Sequence, residues 1–143
     1  YPDSKPQPEG GPSAWGAASF ISAVDEALAG IVDAGVNYDE VYFSPKFTVT
    51  PYTELRYITG YEVTKTLVDV RYILKNEGMR YDIHSPAKKM SARILLPKNK
   101  KACALLINGV ETDFDIYTIG ESEYVSFSVA ECQENMSFEI CFE

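Results

Sequence analysis

The sequence predicts a mainly β protein, in which one long N-terminal α-helix precedes an antiparallel two-sheet β-sandwich of about eight or nine strands. Apolar residues recur first with helical spacing and then, after Gly35, alternate with polar ones. Strand patterns return about every ten residues with turn residues between them. Asn108-Gly109 lies between two apolar runs and is a strong hairpin signal, because both residues tolerate positive φ.

Residues 14–34 form the predicted helix. The run "WGAASFISAVDEALAGI" (15–31) is apolar around about two thirds of a helical circumference, which is wider than the apolar stripe of an ordinary surface helix. A helix over 14–33, about 30 Å long, therefore needs neighbours on two sides. Gly35 is the expected C-terminal cap and Ser13 the N-cap. Residues 1–13, "YPDSKPQPEGGPS", predict an extended tail or loop.

Residues 35–143 form the predicted sandwich. The runs 66–74 and 79–84 alternate cleanly and predict a hairpin with its turn at 75–78, and further strands are expected at 38–49, 90–97, 123–129 and 136–142. A two-residue turn at Asn108-Gly109 places six side chains on one expected core face. They are Cys103, Leu105, Ile107, Val110, Thr112 and Phe114, and the turn pairs Cys103 with Phe114.

Composition excludes several classes of function. The formal net charge of −8 disfavours nucleic-acid binding, and no apolar run is long enough to cross a bilayer. The chain opens at Tyr1 without an initiator Met, so we expect that it is processed or cut from a longer protein. Three cysteines cannot all pair: unpaired thiols are favoured, with a Cys132–Cys141 disulfide as the alternative.

No catalytic or metal-binding set stands out, and no cofactor is expected. Asp25 and Glu26 point about 100° apart on a helix and are expected to be a solvated or interface stripe. Asp113 and Asp115 offer too few oxygens for calcium. His84 has no acid or serine motif beside it. The tyrosines of 38–61 could form a sugar-binding platform, although packing explains them more simply.

Several segments resemble the C-terminal region of bacterial six-hairpin (α/α-barrel) glycoside hydrolases of the α-L-rhamnosidase-like class. They are "GGPSAWGAASF" (10–20), "EALAGI" (26–31), "VYFSPKF" (41–47), "ARILLP" (92–97) and "LLINGVE" (105–111). The resemblance implies that the helix is the last helix of a missing barrel and that the acid and base carboxylates lie upstream, outside this chain. Rhamnosidase-like enzymes tend to carry a histidine before the tryptophan, where this sequence has Ser13 and Ala14, so the substrate class does not carry over.

The resemblance also gives the one candidate site residue and the expected partners. Trp15 would lie near the barrel mouth, where it either stacks on sugar or anchors the helix. We expect a non-catalytic domain that stabilises a catalytic barrel, in a periplasmic or secreted bacterial protein. The alternative is a carbohydrate-binding module or a self-associating sandwich. Helix 14–33 would contact the barrel or a second copy of the chain, carbohydrate is a further possible partner, and nucleic acid and membrane are not expected.

Overall fold

The structure is a computed structural model that describes residues 14–143. An N-terminal helix is followed in sequence by two β-sheets that pack face to face. The expected tail at 1–13 and the expected N-cap at Ser13 lie outside the described residues. Helix α1 spans Ala14–Ser22, continues as a π-helical turn over Ala23–Leu28, and a 3-10 turn covers Phe47–Val49. The strands are β1 (Ile31–Asp33), β2 (Glu40–Phe43), β3 (Glu54–Tyr61), β4 (Thr66–Leu74), β5 (Gly78–His84), β6 (Lys89–Leu95), β7 (Ala102–Ile107), β8 (Val110–Thr112), β9 (Asp115–Ile119), β10 (Ser122–Val129) and β11 (Asn135–Phe142).

The two sheets confirm the predicted fold class. The first sheet has the order β1-β2-β6-β10-β9 and the second the order β3-β4-β5-β11-β7-β8. All neighbouring strands are antiparallel except β2 and β6, which run parallel because the chain forms β3, β4 and β5 in the other sheet between them. Over residues 14–143 there are eleven strands. The additional strands are short, or, like β3, lie at an edge where only every second side chain is partly covered.

The core between the sheets is rich in aromatic rings. Tyr72 and Tyr81 face each other from β4 and β5 with ring centroids 5.2 Å apart, and Phe47 packs on Tyr72 at 5.6 Å. From the other side, Phe127 on β10 meets Phe138 on β11 edge to face at 4.9 Å. Alternation predicted the inward face of β4 and β5 correctly, since Val68, Val70, Tyr72, Met79, Tyr81 and Ile83 are all buried.

The Asn108-Gly109 hairpin is confirmed, but its expected core face is only partly right. Ile107 pairs with Val110 and Leu105 with Thr112, and both turn residues have positive φ. Strand β8 ends at Thr112, however, and the chain then crosses to the first sheet, so the Cys103–Phe114 pair does not form part of the ladder. Leu105 is buried, whereas Cys103 and Val110 are exposed because this hairpin is the edge of its sheet.

The helix ends earlier than its periodicity predicted. Helical structure stops at Leu28, Gly30 turns the chain with φ of +63°, and residues Ile31–Asp33 are strand β1 rather than helix. The backbone of 28–30 bonds to the segment after β2: Lys46 N–H donates to the Leu28 carbonyl and Ser44 N–H to that of Gly30. Gly30, not Gly35, therefore ends the helical segment.

Candidate functional site

Helix α1 carries large apolar side chains that the described part of the chain leaves exposed on all sides of the helix. Trp15 is 86% exposed, Phe20 71% and Ile21 58%, and every described residue from Trp15 to Ala23 is exposed. Exposed side chains of this size normally occur singly on a soluble protein. Here three of them lie within seven consecutive residues of one helix, and such a concentration of exposed apolar side chains is typical of a segment that is covered by a partner.

The last turns of the helical segment are held by the sandwich. Leu28 packs against the core and Ala29 is buried. Tyr57 Oη, on the edge strand β3, donates a 2.5 Å hydrogen bond to Asp25 Oδ1. Burial and then this carboxylate raise the pKa of Tyr57 to about 12. The helix is therefore anchored at its C-terminal end, and the residues from Trp15 to Ala23 remain exposed.

A groove of about 440 Å³ runs between the helix and the neighbouring strand ends. Ala18 and Ile21 line its helix side, and Asp33, Tyr38 and Tyr61 line the opposite side. Tyr38 stacks on Tyr61 with ring centroids 5.1 Å apart, and burial followed by a hydrogen bond to Asp33 raises the pKa of the Tyr61 hydroxyl. Sequence reasoning noticed the tyrosine cluster but could not place its members, because Tyr38 lies after β1 and Tyr61 ends β3.

The tyrosines of 38–61 do not form one platform. Tyr38 is buried and Tyr57 is bonded to the helix, whereas Tyr52 is 61% exposed in the loop before β3. Tyr42 lies on β2 with its side chain on the face opposite the core. Packing accounts for the first two and leaves no continuous row of rings.

The remaining candidate residues form no catalytic arrangement in the described part of the chain. His84 Nδ1 lies 3.0 Å from Asn135 Oδ1 and its Nε2 lies 3.7 Å from a Glu134 carboxylate oxygen, on an exposed surface. Glu26 accepts a hydrogen bond from Ser22 Oγ at 3.1 Å. All three cysteines are free thiols, so the Cys132–Cys141 disulfide does not form here.

Residues 14–143 contain neither a cluster of metal-ligating side chains nor a helix that could span a membrane. No group of three or more His, Cys, Asp or Glu side chains comes together there in a way that could hold a metal ion, the Asp113–Asp115 region included. Among the described helices none has the length and apolar character needed to cross a membrane.

Comparison with known proteins gives a likeness in fold. No family model matches this sequence, and no curated protein matches it. Among solved structures, the chain is similar to an alpha-L-rhamnosidase from Dictyoglumus thermophilum, with a TM-score of 0.52 and 12% identity. The match covers 80% of this chain but only 12% of that one, so the chain spans a small part of the length of its structural relative. The sandwich therefore shares its fold with a segment of a glycoside hydrolase.

Proposed function

We propose that this chain is a non-catalytic domain of a glycoside hydrolase, which packs through helix α1 against an α/α-barrel catalytic domain and stabilises it. The observation that carries the proposal is the exposure of Trp15, Phe20 and Ile21, which project from different sides of one helix and call for cover on more than one side. The last helical turn packs on the sandwich and the first turns are exposed, so a second domain can pack against the first turns. The rhamnosidase likeness supports the choice of a hydrolase, and the resemblance of segments 10–20 and 26–31 supports the choice of a barrel.

Burying these side chains would supply a substantial stabilisation. Apolar surface contributes about 25 cal/mol for each Å² removed from water, so three large side chains together contribute several kcal/mol, of order 5. Ordering an apolar side chain such as Ile costs only about 0.5–1 kcal/mol in rotamer freedom, so the cost summed over three side chains stays below the gain from burial. A partner that covers α1 is therefore favoured over an exposed helix.

The first experiment separates docking from folding. Phe20→Glu and Ile21→Glu are made in the isolated chain of 143 residues and in the longer protein that the proposal requires. In the isolated chain both positions are exposed, so the free energy of unfolding should change by less than about 0.5 kcal/mol. In the longer protein each should lower the thermal midpoint, because a buried unpaired carboxylate is costly. Val63→Glu is the matched control, since Val63 is 95% exposed in the β3–β4 turn. An equal loss of stability in both proteins would contradict the proposal.

A second experiment tests the alternative occupant, another copy of this chain. Light scattering on the isolated chain should give a monomer or a weak, concentration-dependent dimer. A stable dimer that Phe20→Glu dissociates and Val63→Glu does not would assign helix α1 to self-association instead. In the same preparation, the chain should hydrolyse no aryl glycoside. Turnover that is lost on substituting a residue of this chain would refute a non-catalytic role.

A further inference from the structure

The outer face of the first sheet carries a polar and aromatic cluster that the proposed function does not use. It consists of Arg93 on β6, Ser126 and Tyr124 on β10 and Tyr117 on β9, and we refer to it as the Arg93 cluster. Ser126 pairs directly with Arg93, and Tyr124 with Tyr117. Directly paired residues project to the same side of a sheet, so the four side chains share one face. The intervening Val125 and Phe127 are buried on the core side.

Arg93 differs from the other arginines of the chain. Arg56, Arg71 and Arg80 each pair with a carboxylate, at 2.6, 2.6 and 2.8 Å. Within residues 14–143, Arg93 has no carboxylate partner inside 4.0 Å, and its Cζ instead lies 4.5 Å from the centroid of the Tyr117 ring.

The Arg93 guanidinium lies beside the Tyr117 ring, but its Nε lacks a hydrogen-bond acceptor within residues 14–143. Its Nε is buried and donates no hydrogen bond to any described residue. A buried donor without an acceptor is costly, and the cost is larger for a charged group. The cation–π contact with Tyr117 stabilises the guanidinium without providing an acceptor for its N–H groups. Because Nε is buried, an acceptor from outside the chain can approach only the terminal Nη groups of Arg93.

The surroundings restrict the charge of that acceptor. Lys89, on the same strand, is neutralised by Glu40 at 2.8 Å, and Asp115 lies on β9 opposite Ser126. A net charge of −8 repels polyanions. Because directly paired residues share a face, Asp115 lies on the same side of the sheet as Arg93, two strands away. The cluster therefore offers one available cation, flanked by rings and a hydroxyl, to a ligand with no more than one negative group.

We propose that the Arg93 cluster binds a uronate residue of a carbohydrate. A carboxylate matches the planar fork of a guanidinium in a bidentate pair. The rings of Tyr117, which is 48% exposed, and Tyr124, which is partly exposed, present apolar surface to the C–H face of a pyranose. Ser126 Oγ is both donor and acceptor for a sugar hydroxyl. The cluster contains no residue of α1, so the helix variants and the cluster variants test separate claims.

The ligand class is tested by amide chemical-shift titration of the isolated chain with four matched probes. They are the methyl glycoside of galacturonic acid, its methyl ester, methyl galactoside and acetate. We expect the uronate to shift amides of β6, β9 and β10, with an affinity about tenfold or more above that of the ester, because a hydrogen-bonded charge pair is worth about one factor of ten or more. Equal affinity for the ester or the neutral galactoside would overturn the proposal. Acetate that binds as tightly as the uronate would also overturn it, since a bare carboxylate of a protein would then serve equally well.

The residues are tested by substitution in the same chain. Arg93→Gln should weaken uronate binding at least tenfold, and Arg93→Lys should give an intermediate loss because it keeps the charge but not the fork. Arg56→Gln is the matched control on the second sheet and should leave binding unchanged. Tyr117→Ala provides an independent variant if Arg93→Gln does not fold, and it should also weaken binding. Full affinity in a folded Arg93 or Tyr117 variant, or no amide shift with uronate up to its solubility, would overturn the proposal.

Discussion

Single residues with positive φ determine where this chain changes direction. Gly30 has φ of +63°, and a Cβ added there would lie 2.0 Å from the Ser44 carbonyl oxygen. Gly109 has φ of +79°, yet a Cβ added at that position meets nothing within 4 Å. The first glycine is required by conformation and by close backbone approach, and the second by conformation alone.

Alanine substitutions should separate these two requirements. Gly109→Ala should cost about 1–2 kcal/mol in the free energy of unfolding, the ordinary penalty of a left-handed conformation. Gly30→Ala should cost more, about 3–5 kcal/mol, because the Ser44 backbone and the end of the helix must also move. Urea denaturation of the two variants measures the difference, with Gly109→Ala as the matched control. Equal losses would show that the close approach at Gly30 relaxes without cost.

Among the secondary-structure elements, those set by local sequence were predicted correctly, whereas those set by contacts between distant segments were not. The β4–β5 hairpin was predicted from alternation and a four-residue turn, both local properties, and its buried face is as expected. Ile31 and Val32 fit a helical face and a strand equally well, and hydrogen bonds from Ser44 and Lys46 to the carbonyls of residues 30 and 28 decide between them. The Arg93 cluster was missed for the same reason, since its members come from three strands.

The β4–β5 pair also predicts an alkaline transition that originates in the core. Tyr72 and Tyr81 are fully buried, and neither hydroxyl has a hydrogen-bond partner among the described residues. Burial raises the pKa of Tyr72 to about 12 from 10.0, and the pKa of Tyr81 well above 10.0. Burial favours the neutral tyrosine in the folded state. The contribution of Tyr72 and Tyr81 to the free energy of unfolding is therefore fully present below pH 10, the unfolded pKa, and is lost as the pH rises through the folded pKa.

Tyr72→Phe should therefore act in opposite directions on two quantities. At pH 7 the free energy of unfolding should stay the same or rise by up to about 1 kcal/mol, because the removed hydroxyl has no partner. Between pH 7 and pH 12 the variant should lose about 2 kcal/mol less of its free energy of unfolding than the wild type does, because the pKa of Tyr72 differs by about two units between the folded and unfolded states. Tyr57→Phe is the comparison. At pH 7 its free energy of unfolding should fall by about 1 kcal/mol, because the variant cannot form the hydrogen bond to Asp25. Urea denaturation across this pH range measures both quantities, and a Tyr72→Phe curve identical to wild type would contradict the assignment.

At the scale of the whole molecule, the sandwich is complete without α1. The core draws on both sheets, the 3-10 turn at Phe47–Val49 and the chain around Ala29, but on no residue from Trp15 to Ser22. Composition and periodicity predicted two sheets, whereas the strand order and the parallel β2–β6 pair depend on contacts between distant segments. The sequence predicted that one sheet surface would cover about half of the helix and leave the rest exposed, whereas in the structure every residue from Trp15 to Ala23 is exposed. Phe20 and Ile21 are indeed exposed, whereas Leu28 is partly buried and Ile31 is buried in β1.

Two truncations should therefore have very different effects on stability. A chain that starts at Ala23 keeps the Tyr57–Asp25 hydrogen bond and the packing of Leu28, so its free energy of unfolding should fall by less than about 1 kcal/mol. A chain that starts at Ile31 loses buried Ala29 and the carbonyls that accept from Ser44 and Lys46, and it should lose about 3 kcal/mol or more. Urea denaturation and the dispersion of amide resonances measure both outcomes. If the shorter truncation unfolds the sandwich, α1 stabilises its own domain, and the reason for assigning its exposed side chains to a catalytic partner is removed.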